Sequence, residues 1–277
     1  MTARELLVWE PASWPVWAIG IPWIAGITVD VARRRCARAP QVASASRTTP
    51  RVTVIVPVLN EEARIGEHLD ALRAMGGLHE VIVVDGGSSD DTVEVVRSGG
   101  GVKLLTAPRG LAAQMNAGAE LATGEVLLFL HADVHLPRDT AHWITTALAD
   151  PTVVGGAFRT WTVAEGRRTW LGPLLHLADL RSRYSSLPYG DQALFVRAGA
   201  FRKVDGFPDQ PLLEDLEIGR RLRRLGRIRT VPATVLVSGR RLVARPVYYT
   251  VLVNLLPLLY RLGIRPAAFA GLYGDHR

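Results

Sequence analysis

Four short, uninterrupted apolar runs, Val52–Val58, Val81–Asp85, Val102–Thr106 and Val126–Leu130, constrain this chain more than any other feature. A strand with one wet face alternates apolar and polar residues. A run without polar interruption needs apolar surroundings on both faces, which is the condition of a strand inside a parallel sheet. The intervals carry helical spacing: Ile65, Leu69 and Leu72 recur at i, i+4 and i+7, and a second helix is expected over Gly110–Ala122. Strand and helix in alternation predict an α/β chain, a Rossmann-like half whose mostly parallel sheet is flanked by helices. After Leu136 the alternation loosens. Val153–Phe158 and Ala193–Val196 are expected as further strands, and Leu212–Gly226 as a helix burying Ile218, Leu222 and Leu225.

Two apolar stretches stand outside that pattern. Pro11–Val29, "PASWPVWAIGIPWIAGITV", carries no charge and is followed by Arg33, Arg34, Arg35 and Arg38. As a helix it would rise about 28 Å, close to a bilayer's hydrocarbon thickness, with the arginines on the cytoplasmic side. Pro15 and Pro22 weaken a straight helix, so a segment lying on the membrane, or a leader the fold does not need, fits the same residues. A cleaved signal peptide does not, because the positive charge follows the apolar run. Ala39–Pro50, "APQVASASRTTP", reads as a linker. The expected organisation is an anchor or interfacial segment over 1–38, a linker over 39–50, and an α/β domain over 51–277 on the cytoplasmic side of the cell membrane. Pro246–Tyr260, "PVYYTVLVNLLPLLY", is short for a span and contains Pro257, so a helix packed on the domain or lying at a membrane interface is expected.

Composition narrows the partners. There are 33 Lys+Arg, mostly arginine, against 26 Asp+Glu, for a formal charge of +7. Guanidinium forks suit phosphate oxygens. With no zinc-finger or RNP-like pattern and few aromatics inside the basic runs, nucleic acid is not expected as a partner, and a nucleotide or an anionic membrane surface is. A 48% hydrophobic and 21% charged chain is not disordered. The single Cys36 excludes an intramolecular disulfide and any multi-cysteine metal site.

Ligands of such sheets bind beyond the carboxyl ends of the strands. Those ends carry Pro57 with Asn60 and Glu61, then Asp85 with Gly86 and Gly87, then Arg109, then His131 with Asp133. Asp85 is placed to accept hydrogen bonds from a ribose or base, and the glycines let the backbone approach a ligand. Ser88 and Asp90 can cap the following helix, so a plain turn accounts for much of the same stretch. His131 and Asp133 follow "EVLLFL", and a spacing of two points both side chains one way if strand geometry continues. Such a pair suits Mg2+ or Mn2+ shared with substrate phosphates, a strand-end turn with a capping aspartate being the plainer alternative. "LLEDLEIGRRLRRLG" opens a helix with three acids and continues basic, as the helix dipole favours. One acid suffices for a cap, which leaves one of Glu214 and Asp215 to act as a general base.

Five segments in order, "VTVIVPVLNEEARI", "VIVVDGGSSDDT", "RGLAAQMNAGAELATGEVLLFLHADV", "YGDQALFVRAGAFRKVDGFP" and "LLEDLEIGRRLRRLG", resemble the family-2 glycosyltransferases of GT-A fold. They are similar in particular to a small bacterial subgroup described as arsenosugar-biosynthesis-associated or carotenoid-acid glycosyltransferases. The resemblance covers about Arg51 to Tyr273. It implies a nucleoside-diphosphate sugar donor held at Pro57, Glu61, Asp85 and Arg109, a divalent metal and diphosphate at Asp133, and a catalytic base at Asp215. Asn60, Gly86, Gln114 and Asn116, in the same segments, join the donor-binding candidates. His131 stands where most members carry the first aspartate of the metal motif, and Gly86 where many carry a second aspartate.

In the reaction so implied, Asp215 takes the proton of an acceptor hydroxyl, which attacks the anomeric carbon opposite the departing diphosphate and inverts it. Arg240 or Arg241 in "SGRR" closes over the diphosphate, unless both belong to a solvated basic surface. Asp191 in "YGDQ" orients the donor sugar or the acceptor, or is a buried structural carboxylate. The apolar segments and basic surface favour a lipid or membrane-dissolved acceptor, such as a polyprenyl phosphate or a carotenoid, over a small soluble metabolite. A nucleotidyltransferase would carry a glycine-rich, basic phosphate loop after the first strand, where "PVLNEE" is acidic. A non-catalytic scaffold would be expected to have lost Asp133 or Asp215, and both are present.

Overall fold

The computed structural model describes residues 49–164, 176, 179, 182, 187–268 and 271, without the side chains of Arg241, Leu242 and Arg261. The apolar run Pro11–Val29 and all but the last two residues of the linker lie outside the described residues. Thr48–Arg277 form one compact unit, separate from Met1–Arg47.

The first half alternates as the apolar runs require: β1 (Val52–Val58), α1 (Glu62–Arg73), β2 (Glu80–Asp85), α2 (Thr92–Gly99), β3 (Lys103–Thr106), α3 (Leu111–Leu121) and β4 (Val126–Phe129). There follow β5 (Val134–His135), α4 (Thr140–Leu148), β6 (Val153–Val163), β7 (Phe195–Arg197), α5 (Ala198–Lys203), α6 (Glu214–Leu225), β8 (Arg227–Ser238), α7 (Arg240–Ala244) and α8 (Pro246–Arg261). The described strands form one sheet in the order β3-β2-β1-β4-β7-β6-β8-β5. β1 to β4 pair in parallel, β7 enters antiparallel to both β4 and β6, and β6 runs parallel to β8.

The period of two sorts the central strands onto two cores. Val54 and Val56 with Val83 and Leu128 face Ile65 and Leu69 of α1 and Ile144 of α4. Ile55, Ile82 and Phe129 face Met115 of α3 and Ile218 and Leu222 of α6. Each such side chain contributes about 1.5–3 kcal/mol on full burial. Because both faces are apolar, alternation alone does not fix the register; close approach helps to. At Gly118 of α3 an added Cβ would lie 2.5 Å from Ile55 Cγ2, so this helix rests directly on β1.

Several expectations are corrected. Val102–Thr106 does not become a strand buried on both faces: β3 is the sheet edge, with one neighbour and partly wet side chains. β6 extends past Phe158 to Val163, pairing regularly with β8 from Arg159 onward after register shifts at Val153/Gly155 and Ala157/Arg159. α6 begins at Glu214 because Leu213 takes a left-handed φ of 63°, and Leu225, its last residue, is 45% exposed rather than buried. β8 was not expected, since its arginines and Pro232 break any apolar run. It buries Val231, Val235 and Val237 while the alternate Pro232, Thr234 and Leu236 are exposed, as are Arg227 and Arg229 at its start.

Candidate active site

The loops after β1 and β2 are laced together. Asn60, at φ 54°, donates its N–H to Ser88 Oγ (3.0 Å) and accepts from the Ser89 N–H at 2.8 Å. Asp85 is buried, 3% exposed, and its carboxylate accepts from the N–H groups of Gly87 (3.0 Å) and Ser88 (3.1 Å) and from Ser88 Oγ (2.6 Å). Its carboxylate therefore shapes the turn. The N-cap of α2 is Asp91, not Ser88 or Asp90. Asp90 instead ties both helix starts, accepting from the N–H groups of Glu62 (3.2 Å) and Thr92 (3.1 Å).

Gln114 is buried under this edge, and its Nε2 donates to the carbonyls of Val58 (2.9 Å) and Val84 (2.8 Å). Gly86 leaves it room: an added Cβ there would lie 2.9 Å from the Gln114 amide carbon. Asn116 forms a two-point contact with the Phe207 backbone, donating to its carbonyl and accepting from its N–H, both at 2.9 Å. That amide ties α3 to the loop before α6 and is not part of the cleft wall. Arg109 is exposed in the loop between β3 and α3.

Gln114 and the candidates Pro57, Glu61, His131, Asp133, Asp191 and Asp215 line a cleft of about 240 Å³ at the carboxyl ends of β1, β4, β6 and β8. Pro57 and Glu61 line it from β1, His131 and Asp133 from beyond β4, and Thr162 and Ser238 from β6 and β8. His131 and Asp133 do not continue the strand, as their spacing had assumed. The chain turns, with the Val134 N–H donating to the His131 carbonyl at 3.1 Å, and the Asp133 carbonyl accepts from the Ser238 N–H at 3.0 Å. β5 then pairs with the end of β8, so the most distant strand holds this turn in place.

Asp191 and Asp215 face the same cleft from the turn at Gly190–Gln192 and the start of α6. Asp215 Oδ2 accepts from the Gly190 N–H at 2.5 Å, and Oδ1 from the Leu216 N–H at 2.8 Å. An added Cβ on Gly190 would lie 3.0 Å from His131 Nε2 and 3.7 Å from Asp215 Oδ2, so imidazole and carboxylate both stand against this glycine. Glu214, the neighbouring acid, is 4% exposed. Leu213, on the cleft wall, is one of the non-glycine residues at positive φ, as strained backbone tends to be at working sites.

Glu61, on the cleft wall, pairs with Arg240 of α7, Oε1 to Nη2 at 2.7 Å, the two side chains 16% and 30% exposed in that order. Arg240 is therefore partnered rather than part of a solvated basic surface. The side chain of Arg241 lies outside the described residues.

Sequence reasoning missed three contributors. The Gly190 N–H acts through backbone, which no residue type signals. The apolar wall from Tyr249, Val253, Leu256 and Pro257 of α8 was visible only as a helix of unknown placement. His68 of α1 is buried behind His135, ring centroids 5.6 Å apart. Burial holds its imidazole down at about 4, with His135 adding to the effect and Asp133 opposing it. In the sequence it is one polar residue inside an amphipathic helix.

Among the described residues no three His, Cys, Asp or Glu side chains group closely enough to cage an ion. His131 and Asp133 offer one nitrogen and one carboxylate, the donor set of an Mg2+ or Mn2+ that completes its shell with phosphate oxygens and water.

A family profile, Glycosyl transferase family 2, matches residues 53–204, more than half of the chain. The beta-monoglucosyldiacylglycerol synthase of Synechocystis sp. is 25% identical over 245 residues, 77% of this chain and 49% of that protein. The undecaprenyl-phosphate 4-deoxy-4-formamido-L-arabinose transferase of Pseudomonas paraeruginosa is 32% identical over 142 residues, 47% of this chain and 42% of that protein. The chain spans about half the length of these curated relatives. Among solved structures, the mannosyltransferase PcManGT from Pyrobaculum calidifontis, in complex with GDP-Man and Mn2+, superposes with a TM-score of 0.57 at 27% identity, covering 79% of this chain and 67% of that one. S. aureus TarS 1-349 has a TM-score of 0.54 at 21% identity, over 69% of this chain and 59% of that one, a likeness of fold.

Proposed function

The chain belongs to glycosyltransferase family 2, and from that premise we propose that it moves a sugar from a nucleoside-diphosphate sugar to a hydroxyl of a lipid acceptor, with inversion at the anomeric carbon. One observation carries this reading: Asp215 and His131 converge on Gly190, beside Asp133, in a single cleft at the strand ends. The GDP-Man and Mn2+ of the mannosyltransferase neighbour support the donor class, and the names of the two curated relatives support a lipid acceptor. Within the family, the five segments support placing the chain with the arsenosugar and carotenoid-acid subgroup.

Asp215 is the general base. Two N–H groups orient its carboxylate, and the N-terminus of α6 stabilises its charge. It takes the acceptor's proton as the acceptor oxygen bonds to the anomeric carbon and the bond to the diphosphate oxygen breaks. Asp191, on the turn that supplies the Gly190 N–H, orients the donor sugar. Asp133 and His131 would hold the metal, which supplies charge neutralisation for the departing diphosphate. Asp85 and Asn60 shape the turn that receives the nucleoside, and Arg240, shared with Glu61, faces the phosphates. The test is a calorimetric screen of nucleoside-diphosphate sugars with and without Mn2+. One donor should bind more tightly with the metal; a chain that binds none of them, with or without metal, refutes the reading.

A further inference from the structure

α8 has two apolar sides. Leu252 and Leu256 pack on Leu212, and Tyr249, Val253 and Pro257 wall the cleft. On the opposite side Val247, Tyr248, Val251, Leu255, Leu258 and Leu262 are 40–71% exposed. At about 100° per residue these six fall within an arc of about 100°, so they form one stripe running the length of the helix. Arg245 and Arg265, both exposed, close its two ends. Between Gly239 and Gly274 the sequence holds five arginines and no acid.

We propose that this stripe is a docking surface for an anionic lipid bilayer, on which α8 lies flat while its other side closes the reaction cleft. Sixteen residues make a helix of about 24 Å, shorter than a hydrocarbon core, and its inner side is fixed to the domain. It enters only to the depth of an interfacial helix, with apolar side chains below the headgroups and arginines among them. A second copy of the chain suits the surface less well, because a two-fold contact would bring arginines against arginines with no acid between them. The proposal rests on the transferase reading only for its purpose: a lipid acceptor held in that bilayer would be one helix thickness from Asp215. It also supplies attachment within the catalytic domain, independent of residues 1–38.

The experiment uses the full chain with Cys36→Ser and Val251→Cys, labelled with an environment-sensitive fluorophore. Arg97→Cys on α2, exposed and far from α8 in the sheet order, carries the same label as control. On vesicles of phosphatidylcholine and phosphatidylglycerol the probe at 251 should shift to the blue and brighten, while the probe at 97 does not. Equal responses at both positions while the protein sediments with the vesicles would place attachment elsewhere and overturn the proposal. So would a blue shift that needs no vesicles, grows with protein concentration and accompanies a dimer mass. The pair Val251→Glu with Leu258→Glu, in the otherwise native chain, should keep nucleotide-sugar binding and lose the capacity to glycosylate an acceptor embedded in vesicles. Insertion is read without any substrate, so absence of donor binding would sink the transferase reading and leave this result standing.

Discussion

At the scale of single residues, Asp215 and Glu214 adjoin in sequence and differ in surroundings. Both line the cleft, Asp215 half-buried with its oxygens oriented by backbone N–H groups and Glu214 only 4% exposed. General-base catalysis contributes about 10²–10⁴-fold, so Asp215→Asn should lower turnover by that order with donor affinity little changed. Glu214→Gln is the comparison, and steady-state kinetics at saturating donor reads both. An equal loss in the two variants would assign the effect to the helix start as a whole. Asp133→Ala should remove the enhancement of nucleoside-diphosphate binding by Mn2+, followed by calorimetry, and leave metal-free binding in place. The residue types at both positions were legible in the sequence. Their orientation was not, because it depends on a Gly190 N–H and a β5–β8 pairing contributed by distant parts of the chain.

At the scale of elements, α1 carries a histidine into the core beside β5. His68 has a folded pKa of about 4 against about 6.5 unfolded, so the unfolded chain binds this proton more readily. Stability is full above pH 6.5, falls as the pH drops, and by pH 4 has lost on the order of 3 kcal/mol from this one group. His68→Phe keeps a ring against His135 and should flatten the melting temperature between pH 7 and 4, a loss ordinary carboxylates would not produce until lower pH. β6 supplies a second test. An added Cβ on Gly156 would lie 2.3 Å from the Arg229 carbonyl and 2.4 Å from Phe195 Cζ. Gly156→Ala should therefore destabilise by several kcal/mol or prevent folding, as overpacking between three strands does. The pair Gly155–Gly156 was expected within a strand, but the need for glycine at 156 comes from the Arg229 carbonyl and the Phe195 ring, which reach it from the neighbouring strands.

At the scale of the whole molecule, the unit Thr48–Arg277 contains both cores and every residue placed at the cleft. A chain beginning at Thr48 should unfold in one cooperative transition and bind the same nucleotide sugar, as calorimetry would show; failure to fold would mean that residues 1–47 complete a core. With a formal charge of +7, attachment of the full chain to anionic vesicles should weaken as salt rises, in proportion to its electrostatic share.

The sequence by itself determined the parallel half of the fold. Continuous apolar runs can be satisfied only inside a sheet covered on both faces, and helical spacing between them supplies the cover, so β1, β2, β4, α1 and α3 follow from local composition. It also determined which acids were available for chemistry. Only the tertiary structure decided what the chemistry-bearing groups do. Asp85 and Asn116 are alike in the sequence as polar candidates for donor binding, yet one binds its own turn and the other a backbone 91 positions away. β8 carries no continuous apolar run, because a strand whose alternate residues reach water needs only Val231, Val235 and Val237 to be apolar. α8 reads as a simple apolar stretch, and packing alone divides it into a wall for the cleft and a face left outside. Such outcomes depend on contacts between residues far apart in the chain, and no local pattern records those contacts.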